Sequence, residues 1–285
     1  MTVAGQRRRL HPLSAGARSG RLLEGGHVAG QFFNHDRDGA GAASDTPGGR
    51  RDSGPAVAQP VIVDGPGHGG SPGPRRLYSL KDCAEAAVQV LDALGITAPV
   101  DWVGNAWGGH VGIAFAESFP SRCRTLTTIG TPPYPLSKTE RRRSALLVYL
   151  FRVLGPKPLT SIVVEALAGR GAAKTEPGGA AAISESFRRG DKTGKYWAMQ
   201  SVMLHRPDLR PALARLQVPT LVLAGRDDAL LDLAEAERAA RSVPDGRFEM
   251  VTGAGHVAPL FVAPGEVTRH VLAFWSASRN GGPTQ

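Results

Sequence analysis

Apolar and polar positions along the chain fall into two periodicities. Short apolar runs of four to seven residues, bounded by glycine or proline, recur at Val61–Val63, from Val100, from Arg124, from Val218 and at Arg247–Val251, and each predicts a strand. Between them lie segments with apolar residues every three or four positions. One spans Ser79 to Leu94, where Ser79 can cap a helix whose face is marked by Leu80, Cys83, Ala87, Leu91 and Leu94. Others run through V-G-I-A-F-A-E-S-F-P, from Leu231 to Ser242 and from Gly265 to Ser276. Strand and helix alternating at this spacing predict a parallel sheet covered by helices on both faces.

The alternation is broken twice. Residues 137–206 contain only helical patterns, several of them basic, and predict a helical insertion, a lid, between two strands of the sheet. Residues 1–59 are rich in Gly, Arg, Ser and Asp and show neither period. Leu22–Leu23 and Phe32–Phe33 are their only apolar clusters, so the segment is expected to lack order, because it buries too little apolar surface to offset its ordering entropy. The expected organisation is thus 1–59 without order, a core of 60–136 and 207–278, a lid of 137–206, and a tail of 279–285.

The chain has 285 residues, 41% of them hydrophobic, enough for a sizeable core. No apolar run approaches the roughly 20 residues of a membrane span, and the basic start is not followed by the apolar segment of a signal peptide, so a cytoplasmic protein is expected. The net charge of +9 raises the question of an acidic partner. No nucleic-acid-binding signature accompanies it, and the Arg141–Arg143 run reads as a solvated helix face rather than a membrane-facing patch. Cys83 and Cys123 sit in apolar stretches and are expected to be buried thiols, with no metal site and no cofactor implied.

Candidate chemistry lies at three strand ends, where parallel sheets bind ligands. The turn V-G-N-A-W-G-G-H (Val103 to His110) follows one strand, G-R-D-D ends the strand after the insertion, and G-A-G-H follows the last. A carboxylate that orients a histidine gives a general base near neutral pH. With D-G-P-G-H-G-G-S (Asp64 to Ser71), these four motifs in order resemble the α/β-hydrolase fold superfamily over roughly residues 60–278. That resemblance implies a doubly wound, mostly parallel sheet, with Asp228 as the acid (Asp227 being the less favoured choice) and His256 as the base. It places Ala106 at the nucleophile position and the Trp107 backbone N–H in the oxyanion hole, with Gly104, Gly108, Gly109, Gly67 and Gly69 shaping the turns. Trp after the nucleophile position resembles the epoxide-hydrolase and haloalkane-dehalogenase branch.

Two departures from the pattern bear on function. Alanine cannot attack a substrate, Asn105 is an amide, and His110 lies on the helix beyond the turn, so covalent catalysis through the elbow is excluded. Upstream, no apolar strand ending in H-G precedes Val61, and the loop that would give a second oxyanion donor is missing or atypical. A frame shift or misassigned start in a high-GC gene would account for this; resequencing the upstream DNA tests it. Three functions follow from the resemblance and its departures. The first is a hydrolase acting on a small ester, epoxide or similar molecule with its covalent step impaired. The second is a His–Asp general-base enzyme of the lyase or cofactor-free oxygenase type. The third is a non-catalytic binding protein or decayed hydrolase. The expected partner is a small-molecule substrate, for which Tyr149, Phe151, Tyr196, Trp197 and Met199 of the lid are candidate pocket residues; the oligomeric state is left open.

Overall fold

The computed structural model describes residues 31–34, 59–257 and 259–280. Six strands form one sheet in the order β2-β1-β3-β4-β5-β6. They are β1 (Gln31–Asn34), β2 (Gln59–Ile62), β3 (Val100–Asn105), β4 (Cys123–Ile129), β5 (Thr220–Asp227) and β6 (Gly246–Ala254). The β3–β4, β4–β5 and β5–β6 pairs are parallel, and β1 runs antiparallel to both β2 and β3.

The central strands are buried nearly throughout, and successive side chains point to opposite faces, so one core lies on each side of the sheet. Trp102 and Leu126 face helices α1 (Leu80–Ala93) and α2 (Trp107–Ser118), packing with Leu91 and Phe115. Val103, Ile129, Leu221 and Leu223 face the opposite way, onto Val267, Val271, Phe274 and Trp275 of α11 (Pro264–Asn280). Helix α9 (Leu233–Ser242) lays Ala236 and Ala240 on Val222 and Ala224 of β5. Ser79 caps α1 as expected, in a reciprocal box with Asp82. Leu94 does not continue the buried face: it is the C-cap and is exposed.

Glycines let α2 press on the sheet. A Cβ at Gly104 would lie 2.3 Å from the backbone of Gly108, and one at Gly112 would lie 2.6 Å from the Trp102 indole nitrogen, which donates to the Gly108 carbonyl. The atoms in the way are backbone of the first turn of α2, which cannot yield as the end of a flexible side chain could. Gly104→Ala is therefore expected to lower stability by about 3 kcal/mol, read as a shift of the urea midpoint; an unchanged midpoint would contradict this packing.

The insertion between β4 and β5 comprises α3 (Lys138–Leu154), α4 (Thr160–Ala168), α5 (Ala172–Thr175), α6 (Pro177–Arg188), α7 (Lys192–Ala198) and a π-helical turn at Met199–Leu204. The short α8 (Arg210–Leu213) leads back into β5, and α10 (Pro259–Val262) precedes α11. Phe151 belongs to the packed interior of the insertion, its ring 5.4 Å from that of Phe187. Cys83 and Cys123 are free and buried, with burial raising both thiol pKa values, that of Cys83 to about 12.

Two sequence expectations are corrected at the ends of the chain. Within the 1–59 segment, expected to lack order, Gln31–Asn34 forms a strand inside the sheet. Leu22–Leu23 and the rest of that segment up to Ala58 lie outside the described residues. At the other end, the last helix runs on to Asn280, taking in the start of the expected tail. No helix among the described residues is long and apolar enough to cross a membrane.

Candidate active site

The elbow is built by the strand-to-helix junction itself. Ala106 has φ 48° and ψ −110°, and it is the only non-glycine residue with positive φ among the described residues. Holding a Cβ-bearing residue there costs on the order of 1–3 kcal/mol and persists only when the surroundings over-determine it. Here they do. The Ala106 N–H donates to the Ile129 carbonyl at 2.8 Å, and its carbonyl accepts from the N–H groups of Gly109 and His110. Thr131 Oγ1 donates to the same carbonyl at 3.3 Å. Gly109 leaves room for that threonine, since a Cβ there would lie 2.1 Å from Oγ1. The Trp107 N–H opens α2 and, being in its first turn, has no intrahelical acceptor.

Asp228 and His256 meet as the strand order implies. His256 Nδ1 donates to Asp228 Oδ2 at 2.9 Å, and the Leu230 N–H donates to Asp228 Oδ1 at 2.8 Å. Both side chains are almost wholly buried. The carboxylate fixes the tautomer with hydrogen on Nδ1, which leaves Nε2 as a lone-pair acceptor. Asp227, the other acid of the motif, is exposed on β5.

Gly130 marks where the three strand ends converge. Its φ is +53°, and a Cβ on it would find His256 O at 2.6 Å, Asp228 Oδ2 at 3.4 Å and Asn105 Nδ2 at 3.5 Å as its nearest neighbours. Asn105 is the residue that sequence reasoning missed. Its amide donates to Ile129 O at 3.0 Å and to His256 O at 3.3 Å, tying the residue before the elbow to the histidine loop. These contacts span 24 and 151 positions, and no local pattern announces them.

The turn after β2 forms another wall. Gly67 and Gly69 both have positive φ, and the Gly70 N–H donates to Asp64 Oδ2. Gly65 comes so close to the Trp107 ring that a Cβ would overlap it at 1.8 Å, and the His68 ring stacks on the indole at 5.1 Å. The insertion touches the loops on either side of the elbow. Gly67 abuts the backbone of Gly194, while Gly255 abuts Ala168 and the Val257 N–H donates to Leu167 O.

The upstream strand β1 runs opposite to the strand that carries the elbow. Because β1 is antiparallel to β3, pairing Gln31 with Val103 and Phe33 with Asp101, its carboxyl end lies at the start of β3, away from the elbow.

His110 is a buried structural residue. Its Nε2 donates to Pro132 O at 2.8 Å, and burial, aided by the Arg206 charge, pushes its pKa down to about 3. An unfolded imidazole titrates near about 6.5. Between these values the unfolded chain holds a proton that the folded chain does not. The stability contributed by neutral His110 is therefore complete above the unfolded value and falls as the pH drops through this window. His68, pushed down to about 4 mainly by burial, acts with the same sign. His110→Gln, which can keep an amide donor for Pro132, should show a shallower fall in Tm between about pH 7 and pH 5 than the parent protein. Parallel profiles would contradict this.

Comparison with known proteins agrees with this architecture. The model of a family described as alpha/beta hydrolase fold matches residues 53–154. A poly(3-hydroxyalkanoate) depolymerase of Ectopseudomonas oleovorans is 28% identical over 218 residues, which cover 71% of this chain and 73% of that protein. Among solved structures, a thermophilic esterase from Thermogutta terrifontis superposes with a TM-score of 0.69 at 25% identity, covering 76% of this chain and 79% of the other. The enol-lactonase from Burkholderia xenovorans LB400 does so with a TM-score of 0.67 at 24% identity, covering 75% and 79%.

Proposed function

From the premise that this chain has the α/β-hydrolase fold and resembles hydrolases and esterases, we propose that it is a hydrolase scaffold with an assembled base and no nucleophile. The carrying observation is the buried Asp228–His256 pair beside a strained elbow whose tip is Ala106. In this reading His256 is the base, Asp228 orients it, and the Trp107 N–H is an oxyanion donor. The helical insertion is the lid, and a small ester-like or epoxide-like molecule binds between it and the strand ends.

Chemistry without the nucleophile is limited to what His256 can do. Its Nε2 can take a proton from a water held against the substrate carbonyl, the Trp107 N–H polarises the oxygen on which charge develops, and Asp228 stabilises the imidazolium. No acyl-enzyme forms, so p-nitrophenyl ester hydrolysis should be slow and show no burst. His256→Ala should remove most of that slow rate while leaving the fold intact by circular dichroism. If this variant retains the parent rate, the residual reaction belongs to other groups and the proposed role of His256 is wrong.

A second reading uses the same pair for proton abstraction from a carbon acid, as in a lyase or cofactor-free oxygenase. The observation that favours it is the bond from His256 Nδ1 to Asp228, which leaves Nε2 as the basic nitrogen and needs no covalent partner. A primary solvent isotope exchange at the substrate carbon, without hydrolysis, would distinguish it.

A further inference from the structure

The arginine-rich start of α3 has an outward face that its composition alone does not reveal. Val148 and Phe151 turn inward. At 100° per residue the opposite side carries Arg142, Leu146, Tyr149 and Val153 in one stripe. The three apolar members are each more than half exposed, as are Leu154 at the helix end and Ile162 on α4. Nearly half of the large exposed apolar side chains among the described residues thus gather on this one part of the insertion. Arg141 and Arg152 flank the stripe on one side and Arg143 on the other, all exposed.

Little acid offsets the charge on this face, Glu140 acting on Arg143 alone of the four arginines. Glu140, the acid of α3, is occupied by the cap with Ser137. None of the four arginines is in an ion pair with a carboxylate among the described residues. Beside the stripe, a recess of about 340 Å³ opens between α3 and the π-helical turn, with Arg141, Tyr149, Arg152, Tyr196 and His205 in its wall and no acidic side chain. The Arg152 guanidinium lies over the Tyr196 ring at 5.6 Å, which holds it at the mouth.

An apolar stripe with a tyrosine, bordered by arginines and set on an exposed helix, is the pattern of a segment that lies in a bilayer interface. The apolar side chains enter the acyl boundary, the arginine stems follow them, and the guanidinium groups stay with the headgroups. We infer that the outer face of α3 docks this protein on an anionic lipid surface, with the Arg141–Arg152 recess receiving a headgroup phosphate. Charge complementarity selects this occupant, since the chain carries +9 overall and this face has no acid to offer a basic partner.

Co-sedimentation of the full chain with vesicles of phosphatidylcholine, with and without phosphatidylglycerol, tests the inference. Binding should be at least roughly tenfold tighter to the anionic vesicles and weaken with salt. Leu146→Gln/Val153→Gln changes no charge at exposed positions and should leave the melting curve unchanged, yet weaken binding by roughly tenfold or more. Arg141→Gln/Arg142→Gln/Arg143→Gln should weaken it on the order of a hundredfold. Equal binding to neutral vesicles, or none to either, overturns the inference. So does unchanged binding by the apolar double variant, which would assign the affinity to diffuse net charge. A parent dimer that dissociates in the double variant, seen by light scattering, would instead assign the face to a second copy of the chain.

Discussion

Ala106→Ser should gain esterase activity on short p-nitrophenyl esters by on the order of a thousandfold. Removing a serine nucleophile from an assembled triad costs on the order of a millionfold, so restoring one has that gain as its ceiling. A site with one oxyanion donor instead of two loses on the order of a hundred- to a thousandfold, and the Trp107 N–H is the one donor proposed here. The backbone needs no remodelling for the change. Position 106 already holds the strained φ of 48° that presents a side chain at the tip of the turn, and its N–H and carbonyl are fully engaged. A burst of p-nitrophenol close to one equivalent should accompany the steady rate in this variant and be absent from the parent. A gain below tenfold would mean that His256 Nε2 does not reach the tip of the elbow.

The second large effect is on stability, at the base of the strand that carries the elbow. Asp101 on β3 is 1% exposed and accepts both Arg124 Nε at 3.0 Å and Arg124 Nη2, with Thr125 Oγ1 donating to it at 2.6 Å. Arg124 keeps about a third of its side chain in water, so the carboxylate is the partner that cannot regain hydration. Arg124→Met preserves the aliphatic stem but removes the guanidinium from a buried carboxylate, and should cost about 3 kcal/mol, lowering Tm by on the order of ten degrees for a domain of this size. Adding Asp101→Asn removes the stranded charge and should recover most of the loss. If the double variant is no more stable than Arg124→Met, then packing rather than charge carries the effect.

Sequence pattern carried much of this architecture, for reasons specific to particular residues. The β3–elbow–α2 unit is local, and its glycines are read directly because Gly104 and Gly109 are needed where backbone meets backbone or Thr131. Asp228 and His256 stand at strand ends that a parallel sheet brings together, and Asp228 is the acid of the motif that hydrogen-bonds His256. Four-residue β1 was not legible, because one Phe-Phe pair in a glycine-rich stretch is no strand signal and its antiparallel pairing depends on neighbours distant in sequence. The Asn105 bridge, the crowding at Gly130 and the stacking of His68 on Trp107 are likewise products of the tertiary fold. The outward stripe of α3 was half-legible: the arginines were plain, but which apolar positions face water depends on what packs beneath.

Retention of the elbow's strain in a chain whose tip is alanine bears on how the site is maintained. The bonds to Ile129, Thr131 and His110 hold residue 106 in place without reference to its side chain, so losing the nucleophile leaves the geometry standing. In the proposed reading the site thus holds His256 and the Trp107 N–H around a position that carries only a methyl group.

Intact mass after incubation with a fluorophosphonate tests that claim most directly. Ala106→Ser should take up one phosphonyl group, the parent protein should take up none, and Ala106→Ser/His256→Ala should react far more slowly than Ala106→Ser alone. An unlabelled Ala106→Ser protein with an unchanged circular dichroism spectrum would contradict the account, because it would show that the elbow, Asp228 and His256 do not form one site.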